Sequence, residues 1–462
     1  MFDFTKQPGL EKGQKAIGKI EPLISIITPF FNAGAYFAQT FQCVMNQTFI
    51  WYEWIIVDDG STKEEDLRIL QSFAQKDARI KVYHKENGGP AAARNYAVSK
   101  TSTDLIVSLD ADDLIEPVYL EQTYFALYFH PEAAWAYTDS LGFQEMEYVW
   151  QVPFDSEKLK KRNFLIEIGT FRKQAFLQAG GYDDAQRYSH EDWNLWLRFL
   201  AQGGFPIHIS SLASWYRIVN DGALHKTNDN QALKKRAYKR IAEVAQKIKK
   251  PVQALEYPRS ADLVCLHEPK MTSWLYQKEK IKKEVLLLYS ETDENSLETL
   301  LSLLKKLKAA GLQVGIMITG SVKRSYIHVF REFTEQVYEL PCFLDLSDYA
   351  EFISYYIKSR QADALILAAS EYGYATAPWL RKHFPGLSMV DAAEENQNPE
   401  QIIAAVLEGK QCDLSKSCLQ LYQQHKKEEA QLLCQIETMH IRLHPVEYIK
   451  RYIKTWLRKR KY

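Results

Sequence analysis

The sequence predicts an α/β protein of more than one domain, and three observations carry that expectation. Short apolar runs alternate with stretches of helical spacing from residue 22 to residue 109, as in βα-repeats that build a parallel sheet. The same alternation starts again near residue 285, after an irregular, Pro-containing stretch. The chain of 462 residues is also longer than one hydrophobic core usually serves. Composition is ordinary for globular proteins, at 46% hydrophobic and 25% charged. The 58 basic and 58 acidic side chains cancel, so no whole-molecule field points to nucleic acid as a partner. Six cysteines (Cys43, Cys265, Cys342, Cys412, Cys418, Cys434) lie scattered without a CxxC pair, which suits reduced thiols better than a disulfide framework or a zinc site. Met1 to Glu21 lacks the apolar centre of a secretory signal. With no run of about eighteen apolar residues to span a bilayer, a cytoplasmic location is expected.

Taken in order, residues 1–21 read as a loose leader rich in Lys, Gly and Gln. Leu23 to Thr28 is a buried-type strand, with Pro29 expected to stop it because proline has no amide hydrogen for a ladder. Ala35 to Asn46 follows as a helix, and Trp54 to Val57 as a strand running into Asp58-Asp59-Gly60-Ser61. In Glu64 to Lys76, Leu67, Leu70 and Phe73 share a helical face. Ile80 to His84 is a third strand, and Gly88-Gly89-Pro90 turns into a helix over Ala91 to Lys100, feeding a strand from Leu105 to Leu109. A mainly parallel, doubly wound sheet would bring Thr28, Val57 and Leu109 to its carboxyl edge, where such sheets hold ligands.

Three polar clusters then converge: Pro29-Phe30-Phe31-Asn32, Asp58-Asp59-Gly60-Ser61 and Asp110-Ala111-Asp112-Asp113. The last packs three carboxylates into four positions. Acids that close repel one another, and a cation relieves the repulsion. Turns also favour Asp, so the Asp-x-Asp pair is weak evidence alone. Farther on, Glu191-Asp192 opens a helical stretch in which Trp193, Leu197 and Leu200 share a face, a position where the helix dipole favours negative charge. The first strand lacks the GxGxxG turn of a dinucleotide-binding fold.

In residues 22–228 the segments PFFN, VDDGST, ENGGPAAARN (Glu86 to Asn95), SLDADD, GGYDD (Gly180 to Asp184), HEDWNLWLR (His190 to Arg198) and WYR (Trp215 to Arg217) occur in one order. In that order they resemble the inverting family 2 glycosyltransferases, which have the GT-A fold. The resemblance implies metal-dependent transfer of a sugar from a nucleotide-sugar donor, UDP- or dTDP-linked rather than GDP-linked, to a hydroxyl. It implies nucleotide-sugar binding by Pro29, Asn32, Asp58, Asp59, Arg94, Asp110 and Arg217. Asp112 and Asp110 would hold Mg2+ or Mn2+, and Asp192 would act as catalytic base beside Glu191. Asp113 is expected to cap the next helix. For Asp59 and Ser61, turn formation and helix capping compete with a ligand role; for Arg94, a helix-surface charge competes; for Trp193, core packing competes with a sugar platform. Family members often carry His two residues after the Tyr-Arg pair, whereas this chain has Val219 there and His225 nearby.

Residues 229–283 read as a helical and irregular linker, basic over Asn230 to Lys250. Val285 to Tyr289, Val314 to Ile318, Val337 to Leu340, Ala364 to Leu367 and Leu387 to Val390 then alternate with helices such as Ser296 to Ala310. Residues 284–410 resemble the N-terminal Rossmann half of a GT-B glycosyltransferase. A docking role is expected for them, since the half that mostly binds the donor has no room to follow. In the tail, residues 411–462, Ile449, Tyr452, Ile453, Trp456 and Leu457 form one helical face against Lys450, Arg451, Lys454, Arg458, Lys459, Arg460 and Lys461. A basic amphipathic helix of this kind suits an anionic membrane surface. Peripheral association with the inner face of the cell membrane is therefore expected, with a glycan or lipid-linked acceptor in cell-surface polysaccharide or glycolipid synthesis. The competing expectation is a non-catalytic scaffold with a degenerate transferase domain.

Overall fold

A computed structural model describes residues 21–186, 190–219, 231–257, 282–290, 294–320, 322, 324–392, 398–409 and 427. Nearly all of the leader, the linker beyond residue 257 up to residue 281, His225 and the basic tail helix lie outside the described residues. The chain divides into two compact units, Met1–Arg259 with Lys323–Leu344, and Ser260–Val322 with Asp345–Tyr462.

The first unit is built on a mixed sheet. Strands β1 (Ile24–Phe30), β2 (Tyr52–Asp58), β3 (Ile80–His84) and β4 (Leu105–Ser108) are parallel, in the order β4-β1-β2-β3. Helices α1 (Gly34–Met45), α2 (Glu64–Ala74) and α3 (Pro90–Lys100) connect them. All seven residues of β2 are buried, as expected of a strand covered on both faces. Helix α3 packs an alanine face (Ala91, Ala93, Ala97) into the core; these small side chains let the helix sit close to the sheet.

The strict alternation stops at β4. After the two-residue β5 (Leu114–Ile115) and α4 (Tyr119–Phe129) come β6 (Trp135–Gln144), β7 (Tyr148–Trp150), α5 (Ser156–Leu159), β8 (Gly169–Arg172), α6 (Lys173–Gln178), α7 (Glu191–Ala201) and β9 (Pro206–Ile218). Strand β8 runs antiparallel to both β4 and β6, while β9 is parallel to β6 and antiparallel to β5. This half of the sheet is therefore mixed rather than parallel. Its core is aromatic, with Trp135 stacked on Trp196 at 5.7 Å and Phe199 against Trp135 at 5.3 Å. Helix α8 (Gln231–Ala245), the basic segment, adds Ile241, Val244 and Ala245 to that core.

Pro29 does not end β1. The Ile27 carbonyl accepts from Leu109 on the β4 side, and the Phe30 carbonyl accepts from Asp59 on the β2 side. Strand alternation thus turns Pro29 toward β4, whose last paired residue, Ser108, is opposite Ile27. The missing amide hydrogen falls where that ladder has already finished, which is where a strand tolerates proline.

Strand β10 (Leu255–Glu256) pairs in parallel with β9 at the edge of the first sheet. In the second unit, β11 (Glu284–Tyr289), β12 (Gln313–Ile318), β14 (Ala364–Ala368) and β15 (Ser388–Asp391) pair in parallel in the order β12-β11-β14-β15. Helices α9 (Glu294–Ala309), α11 (Tyr349–Arg360), α12 (Glu371–His383) and α13 (Pro399–Glu408) complete the Rossmann-like pattern. The segment with α10 (Arg324–Phe330) and β13 (Val337–Glu339) groups with the first unit. There Arg331 lies 3.3 Å from Glu116, and the Tyr338 hydroxyl donates to the buried Glu121 at 2.6 Å.

Candidate active site

The ends of β1, β2 and β4 meet at one rim, as their register requires: Ile27 is level with Ser108 on one side and with Ile55 on the other. Asp58 closes β2 and is buried; its Oδ1 accepts from the Ser61 amide at 3.0 Å, and its Oδ2 lies 3.1 Å from His84 Nδ1. Each oxygen keeps a free lone pair for a further donor. Gly60 turns the chain here at φ 75°, and a Cβ on it would meet the Asn87 amide at 2.9 Å.

Asp59 is committed to the fold. Its carboxylate accepts from Lys85 Nζ at 2.6 Å, from the Gly88 amide at 2.9 Å and from the Gly89 amide at 2.7 Å. It therefore pins the loop that launches α3. Asn32, at φ 49°, does the same for the next loop: its Oδ1 accepts from the amides of Thr62 and Lys63 at 3.0 and 3.2 Å. Ser61 is not the cap of α2, whose N-terminal flanking residue is Lys63 without a side-chain bond. The Ser61 hydroxyl instead accepts from the Asn32 amide at 3.0 Å.

Arg94 is a hub and not a surface charge; its side chain is 3% exposed. Its Nη2 donates to Asp110 Oδ1 at 2.5 Å and its Nη1 to Glu191 Oε1 at 2.8 Å, while its Nε lies 3.2 Å from Glu167 Oε1. One buried cation thus faces three carboxylates from three parts of the chain. Nη1 and Nη2 are hydrogen-bonded to Glu191 and Asp110, while Nε makes no hydrogen bond among the described residues.

Glu167 carried no signal in the sequence reading. It precedes β8, and the antiparallel pairing of Gly169 with Ser108 brings it to the rim. Its Oε1 accepts from the Tyr182 hydroxyl at 2.6 Å and from the Ser108 hydroxyl. Burial drives its carboxyl up to about 8, with Arg94 opposing and Asp110 reinforcing the shift. Tyr182 belongs to the GGYDD turn, which is tied to α3 through Asn95: Asn95 Oδ1 accepts from the Tyr182 amide at 2.8 Å, and Asn95 Nδ2 donates to the Tyr182 carbonyl at 3.0 Å. Gly181 is required there, at φ 70° with a Cβ position only 2.7 Å from Asn95 Oδ1. Two of the sequence motifs are thereby one structural device.

Asp112 and Asp113 feel burial first and a neighbouring acid second. Burial and then Asp110 raise the Asp112 carboxyl to about 6, against the pull of Arg217. Asp113 is pushed well up by burial and by Asp112. Asp113 caps no helix; β5 follows it, α4 begins after Val118, and Asp113 Oδ1 accepts from the Arg217 amide at 2.8 Å. Its other oxygen is buried with no hydrogen-bond partner among the described residues. Arg217 braces this loop: Nε donates to the Asp112 carbonyl at 2.6 Å, Nη1 to Gln144 at 2.7 Å and Nη2 to Gln39 at 2.9 Å. Its guanidinium carbon sits 4.6 and 4.5 Å from the Tyr36 and Phe143 ring centroids.

A divalent ion fits this donor set in kind, with hard carboxylate oxygens crowded together and short of compensating charge. Asp110 keeps part of its side chain open to solvent, at 26% exposed. Three acids do not close into a cage here among the described residues, which leaves room for water and phosphate oxygens in the manner of Mg2+.

Glu191 and Asp192 open α7, as the spacing predicts. Asp192 Oδ2 accepts from Asn163 Nδ2 at 3.0 Å, and burial together with Glu191 raises its carboxyl to about 7. Trp193 is core: it is 2% exposed, and its Nε1 donates to the Leu159 carbonyl at 2.6 Å. The phenol of Tyr216 is held protonated by burial first, and then by Asp113, Asp110, Asp112 and Asp192. The sequence reading gave it no role.

The fold and this rim define an α/β unit whose polar site gathers at the carboxyl edge of its sheet. Residues 25–179 match the sequence profile described as "Glycosyl transferase family 2", and this segment is a family 2 glycosyltransferase domain. An "Uncharacterized glycosyltransferase" of Haemophilus influenzae is 42% identical over 102 residues, which is 22% of this chain and 40% of that protein. The "O-antigen biosynthesis protein RfbC" of Myxococcus xanthus is 28% identical over 185 residues, 37% of this chain and 14% of that protein. The chain thus spans well under half the length of these relatives. Among solved structures, S. aureus TarS 1-349 in complex with UDP-GlcNAc aligns at 16% identity and a TM-score of 0.41, over 49% of this chain and 70% of that one. No helix among the described residues is long and apolar enough to cross a membrane.

Proposed function

We propose that this protein is an inverting glycosyltransferase that moves a sugar from a nucleotide-sugar donor to an acceptor hydroxyl. The observation that carries the reading is the Arg94 hub, which ties Asp110 of the donor-side acids to Glu191 beside the base, within a family 2 domain. The acceptor oxygen attacks the anomeric carbon, its proton passes to Asp192, and the carbon–oxygen bond to the diphosphate breaks to release the nucleoside diphosphate. A base raised to about 7 is half-ionised near neutral pH, which suits proton abstraction. Asp58, with spare lone pairs, accepts from the donor's base, and a UDP- or dTDP-linked sugar supplies the imide hydrogen it needs. Pro29, Asn32 and Asp59 shape the nucleotide cradle through the loops they fix. Asp110 and Asp112 would hold Mg2+ or Mn2+, which neutralises the charge developing on the leaving diphosphate. Arg217 supports that loop from behind.

The acceptor is a glycan or lipid-linked glycan in cell-surface polysaccharide or glycolipid synthesis. The name of the Myxococcus xanthus relative and the basic amphipathic pattern of residues 449–461 support this. On this reading residues 22–228 form the catalytic domain, residues 284–410 a docking domain, and residues 411–462 hold the protein at the inner face of the cell membrane. A panel of nucleotide sugars, with and without Mn2+, tests the enzyme reading. Transfer or donor hydrolysis that Asp192→Asn abolishes supports it, and equal inactivity of both proteins across the panel refutes it. For the tail, a chain truncated after Leu443 should lose binding to anionic vesicles; unchanged binding refutes that part.

A further inference from the structure

Glu167 Oε1 is a meeting point. It accepts from Ser108 at the end of β4 and from Tyr182 in the GGYDD turn, and it lies 3.2 Å from Arg94 Nε. A guanidinium presents a rigid planar fork, and here each of its three nitrogens faces a different carboxylate. The Nη2 and Nη1 hydrogen bonds hold the two outer ends of the fork. The Nε edge makes no hydrogen bond among the described residues; Glu167 Oε1, itself held by two hydroxyls, stands 3.2 Å from it and limits how far that edge can shift.

We propose that Glu167 is a positioning residue, locking Arg94 so that one guanidinium sets the distance between Asp110 on the donor side and Glu191 beside the base. The consequence for rate rests on the glycosyl-transfer reading; the consequence for Arg94 does not. Asp110, Glu191 and Asp192 carry like charge, and Arg94 is the buried cation between the first two. If the fork turns, the two sides of the site drift relative to each other. A displacement of about 1 Å between reacting groups costs up to about 100-fold in rate. Glu167 itself is 6% exposed, so it acts through Arg94 and not on substrate.

The test uses the full chain with a donor found active in the panel. In Glu167→Ala, kcat should fall about 30- to 100-fold while donor KM changes little. Glu167→Gln, which restores an acceptor oxygen, should recover most of the loss. The Nε–H signal of Arg94 in a 15N spectrum should broaden or shift in Glu167→Ala and return in Glu167→Gln. Wild-type kcat in Glu167→Ala, or equal loss in both variants with an unmoved Arg94 signal, overturns the proposal. Should Glu167→Ala not fold, Tyr182→Phe decides, since it removes one of the two hydroxyls that hold Glu167. A lowered kcat with a shifted Arg94 signal supports the proposal, and no change in either sinks it. Should the wild type be inert with every donor, the functional reading fails, and the Arg94 signal alone still decides whether Glu167 fixes that side chain.

Discussion

The two parallel sheets of this protein end in different chemistry. At the carboxyl edge of the first stand Asp58, Asp59, Asp110 and Asp112, with buried Arg94 against Asp110, Glu167 and Glu191, and buried Arg217 bracing the Asp112 loop. At the same edge of the second stand Ser290, Thr319 and Ser370, with the hydroxyls of Thr319 and Ser370 2.7 Å apart and Ser290 donating to the Ala369 carbonyl at 3.0 Å. Among the described residues, the one carboxylate that ends a strand there, Asp391, accepts from the Tyr374 hydroxyl at 2.9 Å. Hydroxyls closing on one another cost little to keep. Acids outnumbering their cations in a buried rim cost stability and persist only where something else compensates. The parallel sheet supplies the edge in both units, and among the described residues buried acids stand on the first and hydroxyls on the second.

The sharpest way to break this contrast is to neutralise the candidate base. Asp192→Asn keeps an acceptor for Asn163 but cannot take a proton, so transfer should fall by about 10^2- to 10^4-fold. Circular dichroism would establish that the fold survives, and an unaffected rate would remove Asp192 from the mechanism. Next in size is Arg94→Met, which leaves Asp110, Glu167 and Glu191 without their shared cation. Losing one side of a buried ion cluster costs about 3–5 kcal/mol, read from urea melts at pH 7. An unchanged urea midpoint would mean that the cluster adds nothing to stability.

Much of this was legible in the sequence, and the limits have physical causes. The βα-alternation up to Leu109 was readable because parallel strands buried on both faces show as continuous apolar runs. Asp58, Asp110, Asp112, Glu191 and Asp192 were readable because strand ends and helix starts are where acids stand out. Glu167 was not, because its place depends on β8 pairing antiparallel with β4, and no local pattern encodes which strand a segment will find. Asp113 was misread as a cap for a related reason: its partner, the Arg217 amide, lies far along the chain. The strand through Pro29 shows the converse, since proline forbids a ladder bond only where a ladder exists.

A pH series sharpens the contrast with smaller effects. With the Asp192 carboxyl at about 7, kcat/KM should climb as pH rises through about 7 and then level. Stability should move the other way. Asp192 and Glu167, raised to about 7 and about 8, hold protons that the unfolded chain, with ordinary carboxyls near 4, has already released. The native state therefore binds more protons between about pH 4 and 8, and the first unit should lose stability as pH rises across that window. Urea midpoints at pH 5 and pH 8 check this, and a higher midpoint at pH 8 would contradict it.

The smallest effect is expected at the second edge. The Ser370 hydroxyl accepts from the Gly373 amide at 2.9 Å as the N-cap of α12, and it pairs with Thr319. Ser370→Ala removes both contacts but no charge, so the loss should be that of an ordinary cap, about 1 kcal/mol, with the transfer rate unchanged. A melt that reports the second unit, set beside a donor assay on the same preparation, measures both. A fall in kcat comparable to that of an Arg94 substitution would mean that the second edge takes part in the reaction, and the contrast between the two rims would then be one of degree.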